Sequence, residues 1–230
     1  MLDNTRRLVV QDDPKSVGSE AFRTLRTNLQ YTSPDSQLHT VLFTSAVPGE
    51  GKSVVSSNLA VSLAQVGKNI ILIDCDLRKP VVHKIFGLNN ITGLTNILTG
   101  QVDYKEAIQK TAPGVSVITS GPIPPNPAEL LQSKNMRNLL TQLNDEFDQV
   151  VLDVAPVLPV ADALILAPYS DGVVLVVGVN QVSKDFVLRA KDLLENTNSS
   201  ILGVVLNRVK YSKTGEQYYY NYYSQGHDDA

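Results

Sequence analysis

The strongest constraint on this chain is what lies between an apolar run, Val41-Leu42-Phe43, and a helical pattern through Leu59, Val61, Leu63 and Ala64. The connecting stretch is Thr44-Ser-Ala-Val-Pro-Gly-Glu-Gly-Lys-Ser53. A strand, a glycine-rich turn ending in Gly-Lys-Ser and then a helix form the setting in which backbone N–H groups close around a phosphate chain. Gly49 and Gly51 permit conformations that a Cβ would forbid, so successive N–H groups can face one concavity. The helix that begins near Gly51 adds positive partial charge at its N-terminus. Pro48, Gly49, Glu50, Gly51, Lys52, Ser53 and Val54 are therefore the expected phosphate-contacting residues. Lys52 is expected to reach the β/γ-phosphates and the Ser53 hydroxyl to be a ligand of Mg²⁺. Ala46 stands where the general pattern G-x-x-x-x-G-K-[ST] has its first glycine. The expectation is a chain that binds a nucleoside triphosphate.

Composition narrows the remaining choices. With 230 residues, 43% of them hydrophobic, one domain with a full core is expected. A formal net charge of −3 and the lack of a long Lys/Arg run give no reason to expect nucleic acid or a membrane-surface patch. The single cysteine, Cys75, excludes an internal disulfide and a Cys-x-x-Cys metal site within one chain. No apolar stretch approaches the ~20 residues needed to span a bilayer, and the N-terminus lacks a signal-peptide core. A cytoplasmic protein is expected.

Residues up to about Lys15 read as a polar arm carrying Leu8, Val9 and Val10. Ser19 to Tyr31 reads as a helix, on which Glu20, Arg23 and Arg26 recur every three residues along one stripe. That stripe is either a solvated, self-paired face or a surface that meets a second copy of the chain. Asn69 to Asp74 is an apolar run suited to a strand buried on both faces, and it ends in Asp74-Cys-Asp-Leu-Arg-Lys-Pro80. Acidic residues at the carboxyl end of such a strand sit where open α/β sheets place ligands. Asp74 and Asp76 would share a side of a regular strand, and two carboxylates beside a triphosphate call for a metal or a proton between them. Cys75 reads as a small core filler.

Val81 to Lys110 is a broken helical pattern with no chemistry assigned. Val115 to Thr119 reads as a strand, and Asn126 as the cap of a helix running to about Leu143, with Pro127 first and Glu129 third. Gln149 to Asp153 is a further buried strand whose terminal Asp is placed to hold Mg²⁺. Asp162 is expected to cap a helix over Ala163–Ala167, with metal assistance as the alternative. Gly172–Gly178 and Ser200–Leu206 are the last two strands, separated by an amphipathic helix around Phe186 to Leu194. Apolar strands alternating with helices predict an α/β fold with a mostly parallel sheet covered on both faces.

Beyond Asn207 the composition changes. Lys210 to Ala230 lacks aliphatic residues and carries Tyr211, Tyr218, Tyr219, Tyr220, Tyr222 and Tyr223. Such a segment cannot build a core of its own, so the division expected is a single domain over 1–209 and a flexible tail over 210–230. The tail either stacks weakly on a partner or offers phenols as phosphate acceptors.

These residues together resemble the bacterial tyrosine kinases that regulate capsule and exopolysaccharide synthesis. The likeness covers nearly the whole chain. It rests on Glu20-x-x-Arg23-x-x-Arg26, the Ala46–Ser53 loop, Asp74-x-Asp76-Leu-Arg-Lys-Pro80, Gly121-Pro-Ile-Pro-Pro-Asn-Pro-x-Glu-Leu131, Asp153 and the Tyr-rich end. The resemblance implies a P-loop NTPase fold of the deviant-Walker type, working with ATP and Mg²⁺. It implies a homo-oligomeric ring, with an octamer among the candidates, held in part by the Glu20/Arg23/Arg26 helix. One subunit's tail would enter its neighbour's site. It also implies a membrane-embedded activator of the polysaccharide co-polymerase type, a cognate tyrosine phosphatase, and recruitment to the inner face of the membrane. The lack of a spanning segment matches members in which the kinase is a separate chain. Val154-Ala155-Pro156 stands where the family commonly has Thr-Pro-Pro, and Cys75 where Ala or Gly is usual.

Other functions fit the residues less well. A partitioning-type switch ATPase would carry a second lysine early in the loop, where this chain has Val47. An iron–sulfur carrier needs a Cys pair, and a GTPase needs an Asp that Asn207-Arg208-Val209-Lys210 lacks. Asn207, just past a strand tip, could instead lie near adenine. For tyrosyl transfer the expected catalytic residues are Lys52, Asp74, Asp76 and Asp153, with Ser53, Asp74 and Asp153 toward the metal. Asp76 is the first candidate for the base that takes the phenol proton, with Asp74 able to exchange roles. Tyr218, Tyr219, Tyr220, Tyr222 and Tyr223 are the expected acceptors. Arg78 and Lys79 would steer the acceptor, face a subunit contact, or stay solvated.

Overall fold

The structure, a computed structural model, describes residues 8–32, 38–112 and 114–209. The tail and the tyrosines expected as acceptors lie outside the described residues. A seven-stranded sheet organises the rest, in the order β3-β4-β2-β5-β1-β6-β7. In chain order these are β1 (Thr40–Ser45), β2 (Ile70–Asp74), β3 (Gln109–Lys110), β4 (Ser116–Ile118), β5 (Gln149–Asp153), β6 (Gly172–Gly178) and β7 (Ile201–Asn207). All neighbouring strands run parallel except the two-residue β3, which pairs antiparallel with β4.

Successive residues of the central strands point to opposite faces, so an unbroken apolar strand feeds two cores. Leu42, Ile71, Ile73, Leu152 and Leu175 belong to one core. Val41, Phe43, Ile70, Leu72 and Val151 belong to the other. Over the second core lie α1 (Val9–Asp12), α2 (Val17–Tyr31), α3 (Lys52–Ala64) and α4 (Val82–Phe86). Helices α5 (Leu94–Leu98), α6 (Tyr104–Ala107), α7 (Pro127–Gln132), α8 (Lys134–Glu146), α9 (Asp162–Leu166) and α10 (Lys184–Glu195) cover the first. The mostly parallel sheet covered on both faces that the apolar pattern predicts is the observed architecture, except at its β7 edge.

Several local expectations are corrected. The presumed arm is part of the core from Leu8 onward: Val10 is fully buried, and its N–H donates to Asn58 Oδ1 at 3.1 Å. The helix expected to run unbroken to Leu143 is two helices. Ser133 breaks it, and its hydroxyl accepts from Met136 N at 3.2 Å to cap α8. Asn126 makes no side-chain cap; its amide donates to Glu129 at 2.7 Å instead, while Pro127 does take the first helical position. Asp162 is the first residue of α9, and Ala161 holds the cap position. Finally, β7 is not doubly covered. Among the described residues it pairs only with β6, and Val204 and Leu206 are 53% and 62% exposed. Its apolar composition alone could not distinguish a sheet edge from a sheet centre.

Candidate active site

Strand β1 runs into the loop 46–51, and α3 begins at Lys52. Gly49 and Gly51 stand at φ 92° and 94°, in the region that favours glycine. At Gly51 the requirement is also steric, since a Cβ would collide with Asn207 Nδ2. That Asn207 amide donates to the Glu50 carbonyl at 2.8 Å, so the end of β7 holds the loop backbone in place. A cavity of about 390 Å³ opens above the loop, and Pro48, Gly49, Gly51, Lys52, Ser53 and Val54 line it. Of the residues expected to bind the nucleotide, Glu50 and Asn207 are absent from this lining.

The acidic tips of β2 and β5 converge on Lys52, because parallel pairing brings Asp74 level with Asp153. Lys52 Nζ lies 3.0 Å from Asp76 Oδ2, 3.3 Å from both Asp153 oxygens, and 3.2 Å from Ser53 Oγ. Burial opposes charge on Lys52, yet Asp153, Asp76 and Asp74 outweigh it and hold the ammonium above its ordinary pKa. Burial likewise raises the Asp153 carboxyl, against the opposing pull of Lys52. Asp74 is pushed up to about 8, first by burial and then by Asp153.

The two aspartates of the Asp74-x-Asp76 pair have different work. Asp74 accepts backbone N–H groups from Asp76 (3.2 Å), Val81 (3.2 Å) and Val82 (3.0 Å), so it organises the turn into α4. Asp76 lies past the end of β2, accepts from Lys79 N at 3.0 Å, and lines the cavity. Cys75 is fully buried, and burial, Asp74 and Asp153 push its thiol well up, so it is a core side chain with no thiolate character. Arg78 spans to Asp162 with two bonds, at 2.8 and 3.1 Å. Asp162 is thus committed to a cation on the cavity rim rather than to capping its own helix. Beyond Asp153, the Ala155 carbonyl accepts from Thr44 Oγ1 at 2.8 Å, and Ala155 and Pro156 line the cavity.

The Glu20/Arg23/Arg26 stripe lies elsewhere, against the C-terminal half of α3. Arg23 bonds Glu20 (2.7 Å) and the Pro14 carbonyl (2.7 Å). Arg26 reaches the Ser62 carbonyl (2.6 Å) and hydroxyl (3.2 Å). Ser62 is about 15 Å along α3 from Lys52, at 1.5 Å per residue.

Comparison with known proteins identifies the chain's relatives. A family model for ParA-type proteins, described as the NUBPL iron-transfer P-loop NTPase, matches residues 37–230. Tyrosine-protein kinase YwqD of Bacillus subtilis is 46% identical over 216 residues, covering 94% of this chain and 91% of that protein. The chain belongs to the bacterial tyrosine kinases. The putative tyrosine-protein kinase CapB of Staphylococcus aureus is 37% identical, over 93% of this chain and 94% of that one. The crystal structure of the chimerical protein CapA2B2 superimposes with a TM-score of 0.86 at 41% identity, covering 89% of this chain and 90% of that chain.

Two parts of the kinase site escaped sequence reasoning. Glu50 is 1% exposed, and its carboxylate accepts from Val47 N at 2.8 Å and Gly178 N at 3.0 Å. It staples the phosphate loop to the tip of β6. Its place between two loop glycines puts Glu50 among the expected phosphate contacts, and only the position of β6 reveals that its carboxylate is held by backbone donors instead. The second part is Arg78–Asp162, whose partners are 84 residues apart. Neither residue carries a local signal of the other.

Proposed function

We propose that this kinase transfers the γ-phosphoryl group of MgATP to tyrosines of the tail of a second subunit. The observation that carries the reading is the buried constellation of Lys52, Asp76, Asp153 and Ser53 at the start of α3. Family membership supports the tyrosine as acceptor. The site's residues suit a triphosphate and its metal: a loop of left-handed glycines, a helix N-terminus, one lysine, one hydroxyl and flanking carboxylates. Ser53, with Asp153 and Asp74 nearby, would hold Mg²⁺, which when bound neutralises charge on the phosphate chain.

Phosphoryl transfer is mostly positioning and charge stabilisation. The loop N–H groups orient the phosphates, and Lys52 stabilises the charge spread over the transferred group. The phenol oxygen bonds to the γ-phosphorus as the bond to the bridging oxygen of ADP breaks. Asp76 receives the phenol proton, since its carboxylate lines the cavity while that of Asp74 is occupied by three backbone donors. Arg78 and Lys79 flank the mouth where the acceptor enters. Asn207, held to the loop by its amide nitrogen, offers its oxygen to the adenine amino group.

The acceptors are Tyr218, Tyr219, Tyr220, Tyr222 and Tyr223, in a tail following a single domain over 1–209. Transfer between subunits requires a homo-oligomer, for which the Glu20/Arg23/Arg26 stripe is the contact. A membrane-embedded activator of the co-polymerase type recruits the kinase to the inner face of the membrane, and a tyrosine phosphatase resets it. Through this cycle it regulates polysaccharide synthesis and export. No helix among the described residues is long and apolar enough to cross a membrane. The test is incubation with MgATP, with and without membranes, followed by mass mapping of phosphate. Phosphate on the tail tyrosines is expected; ATP hydrolysis with an unmodified tail would favour a switch ATPase.

A further inference from the structure

Arg208 has a backbone that side chains rarely adopt. Among the described residues, three other than glycine have positive φ: Asn180, Asn198 and Arg208, the last at 61°. Asparagine tolerates this region; an arginine there is disfavoured, and such outliers gather at binding sites. Arg208 follows the end of β7 directly, and its side chain lines the same cavity as Gly49, Gly51, Lys52 and Ser53. It is also braced. The Gln181 side-chain amide lies between Gly49 and Arg208, and the assignment of its two ends that satisfies both neighbours puts its nitrogen on the Gly49 carbonyl at 3.3 Å and its oxygen on the Arg208 guanidinium. Gln181 therefore links the phosphate loop to Arg208.

The sheet order sets the polarity of any nucleotide in this cavity. The γ-phosphate end is fixed by Lys52, Asp76 and Asp153, at the tips of β2 and β5. Strand β7 lies three strands from β5, about 14 Å away at ~4.8 Å per strand. The ligand's other end, its base, must emerge on the β7 side of the loop, where Arg208 stands. A guanidinium is planar, weakly hydrated, and stacks on aromatic faces as an ammonium does not.

We propose that Arg208, braced by Gln181, is the platform on which the base of the bound nucleotide stacks. The proposal rests on the nucleotide reading given above and adds to it the residue that holds the base. It also gives the strained backbone a role, because a left-handed turn at the strand end brings the side chain over the cavity.

The test is calorimetric titration of the full chain with MgATP and, separately, with magnesium tripolyphosphate, which has the phosphates but no base. Arg208→Ala and Arg208→Lys should each weaken ATP binding about tenfold, the loss of one stacked base. Both should leave tripolyphosphate affinity within about twofold of the parent. Gln181→Ala, which also frees the Gly49 carbonyl of the phosphate loop, should weaken ATP binding by a smaller factor and by more than it weakens tripolyphosphate binding. If Arg208→Ala does not fold, Arg208→Gly, which adopts φ 61° freely, provides the same comparison. Three results would overturn the proposal: equal loss for both ligands, restoration of ATP affinity by lysine, or unchanged ATP affinity in every Arg208 variant. If the parent chain binds neither ligand, the nucleotide reading itself fails, and this proposal falls with it.

Discussion

Removing the Glu50 carboxylate tests whether the phosphate loop is held from behind as the structure indicates. Glu50 is 1% exposed and accepts two backbone N–H groups, from Val47 at 2.8 Å and Gly178 at 3.0 Å. Hydrogen bonds to a charged group contribute about 1.5–3 kcal/mol each, and losing the acceptor leaves both donors buried without a partner. Because the two share one carboxylate, we take the lower end, about 3 kcal/mol for Glu50→Ala. In a chain of this size each kcal/mol shifts Tm by about 2–4 °C, so a drop of about 6–12 °C is expected. Glu50→Gln keeps one acceptor oxygen and turns an NH₂ toward the other donor, so it should show about half the loss. Both variants should also bind MgATP more weakly, since the loop is no longer fixed to β6. The assays are thermal and urea unfolding, paired with nucleotide titration. If Glu50→Ala unfolds within about 0.5 kcal/mol of the parent and binds nucleotide equally well, the staple has no energetic weight.

Lys52→Met should abolish phosphate incorporation while leaving the circular dichroism spectrum of a folded chain; full phosphorylation by a folded variant would sink the site assignment. Arg78→Ala should destabilise the chain by about 2 kcal/mol, because it strands the fully buried Asp162 while Arg78 itself is 38% exposed and partly screened. Urea unfolding that shows no change would mean that water replaces the guanidinium. Replacing Glu20, Arg23 and Arg26 together with Ala should shift the assembly toward monomer in light scattering. An unchanged assembly would leave the stripe with only the intrachain bonds seen here, each exposed pair contributing under ~1 kcal/mol.

The readable parts of this chain were those where function is written into local sequence. The loop could be placed because glycines at fixed offsets between a strand and a helix have few other uses, and Gly49 and Gly51 do stand at positive φ. The central strands were legible because a strand buried on both faces carries a continuous apolar run, as β2 and β5 do before their terminal Asp. What failed depended on neighbours distant in sequence. The exposure of β7 follows from its place at the sheet edge, and the burial of Val10 from a helix that begins about forty residues later. Ser133 could be read as a helix position or as a cap, and tertiary packing decided for the cap. Asp74 and Asp76 looked equivalent in spacing. They separated only when the turn after β2 gave one to backbone donors and the other to Lys52.

The central claim is transfer of phosphate between subunits onto the tail. A tethered segment has a high effective concentration near any site it can reach, so the acceptor need not bind tightly. Each phosphate adds about −1.5 to −2 charges, which should repel the tail from an Asp-lined pocket and loosen the assembly. The direct measurement mixes two chains with MgATP in the presence of membranes. One lacks residues 210–230 but keeps its site; the other carries Lys52→Met and keeps its tyrosines. Phosphate at Tyr218, Tyr219, Tyr220, Tyr222 or Tyr223 of the Lys52→Met chain is the predicted result. Phosphate that appears only when an intact site and the tail share one chain would contradict it.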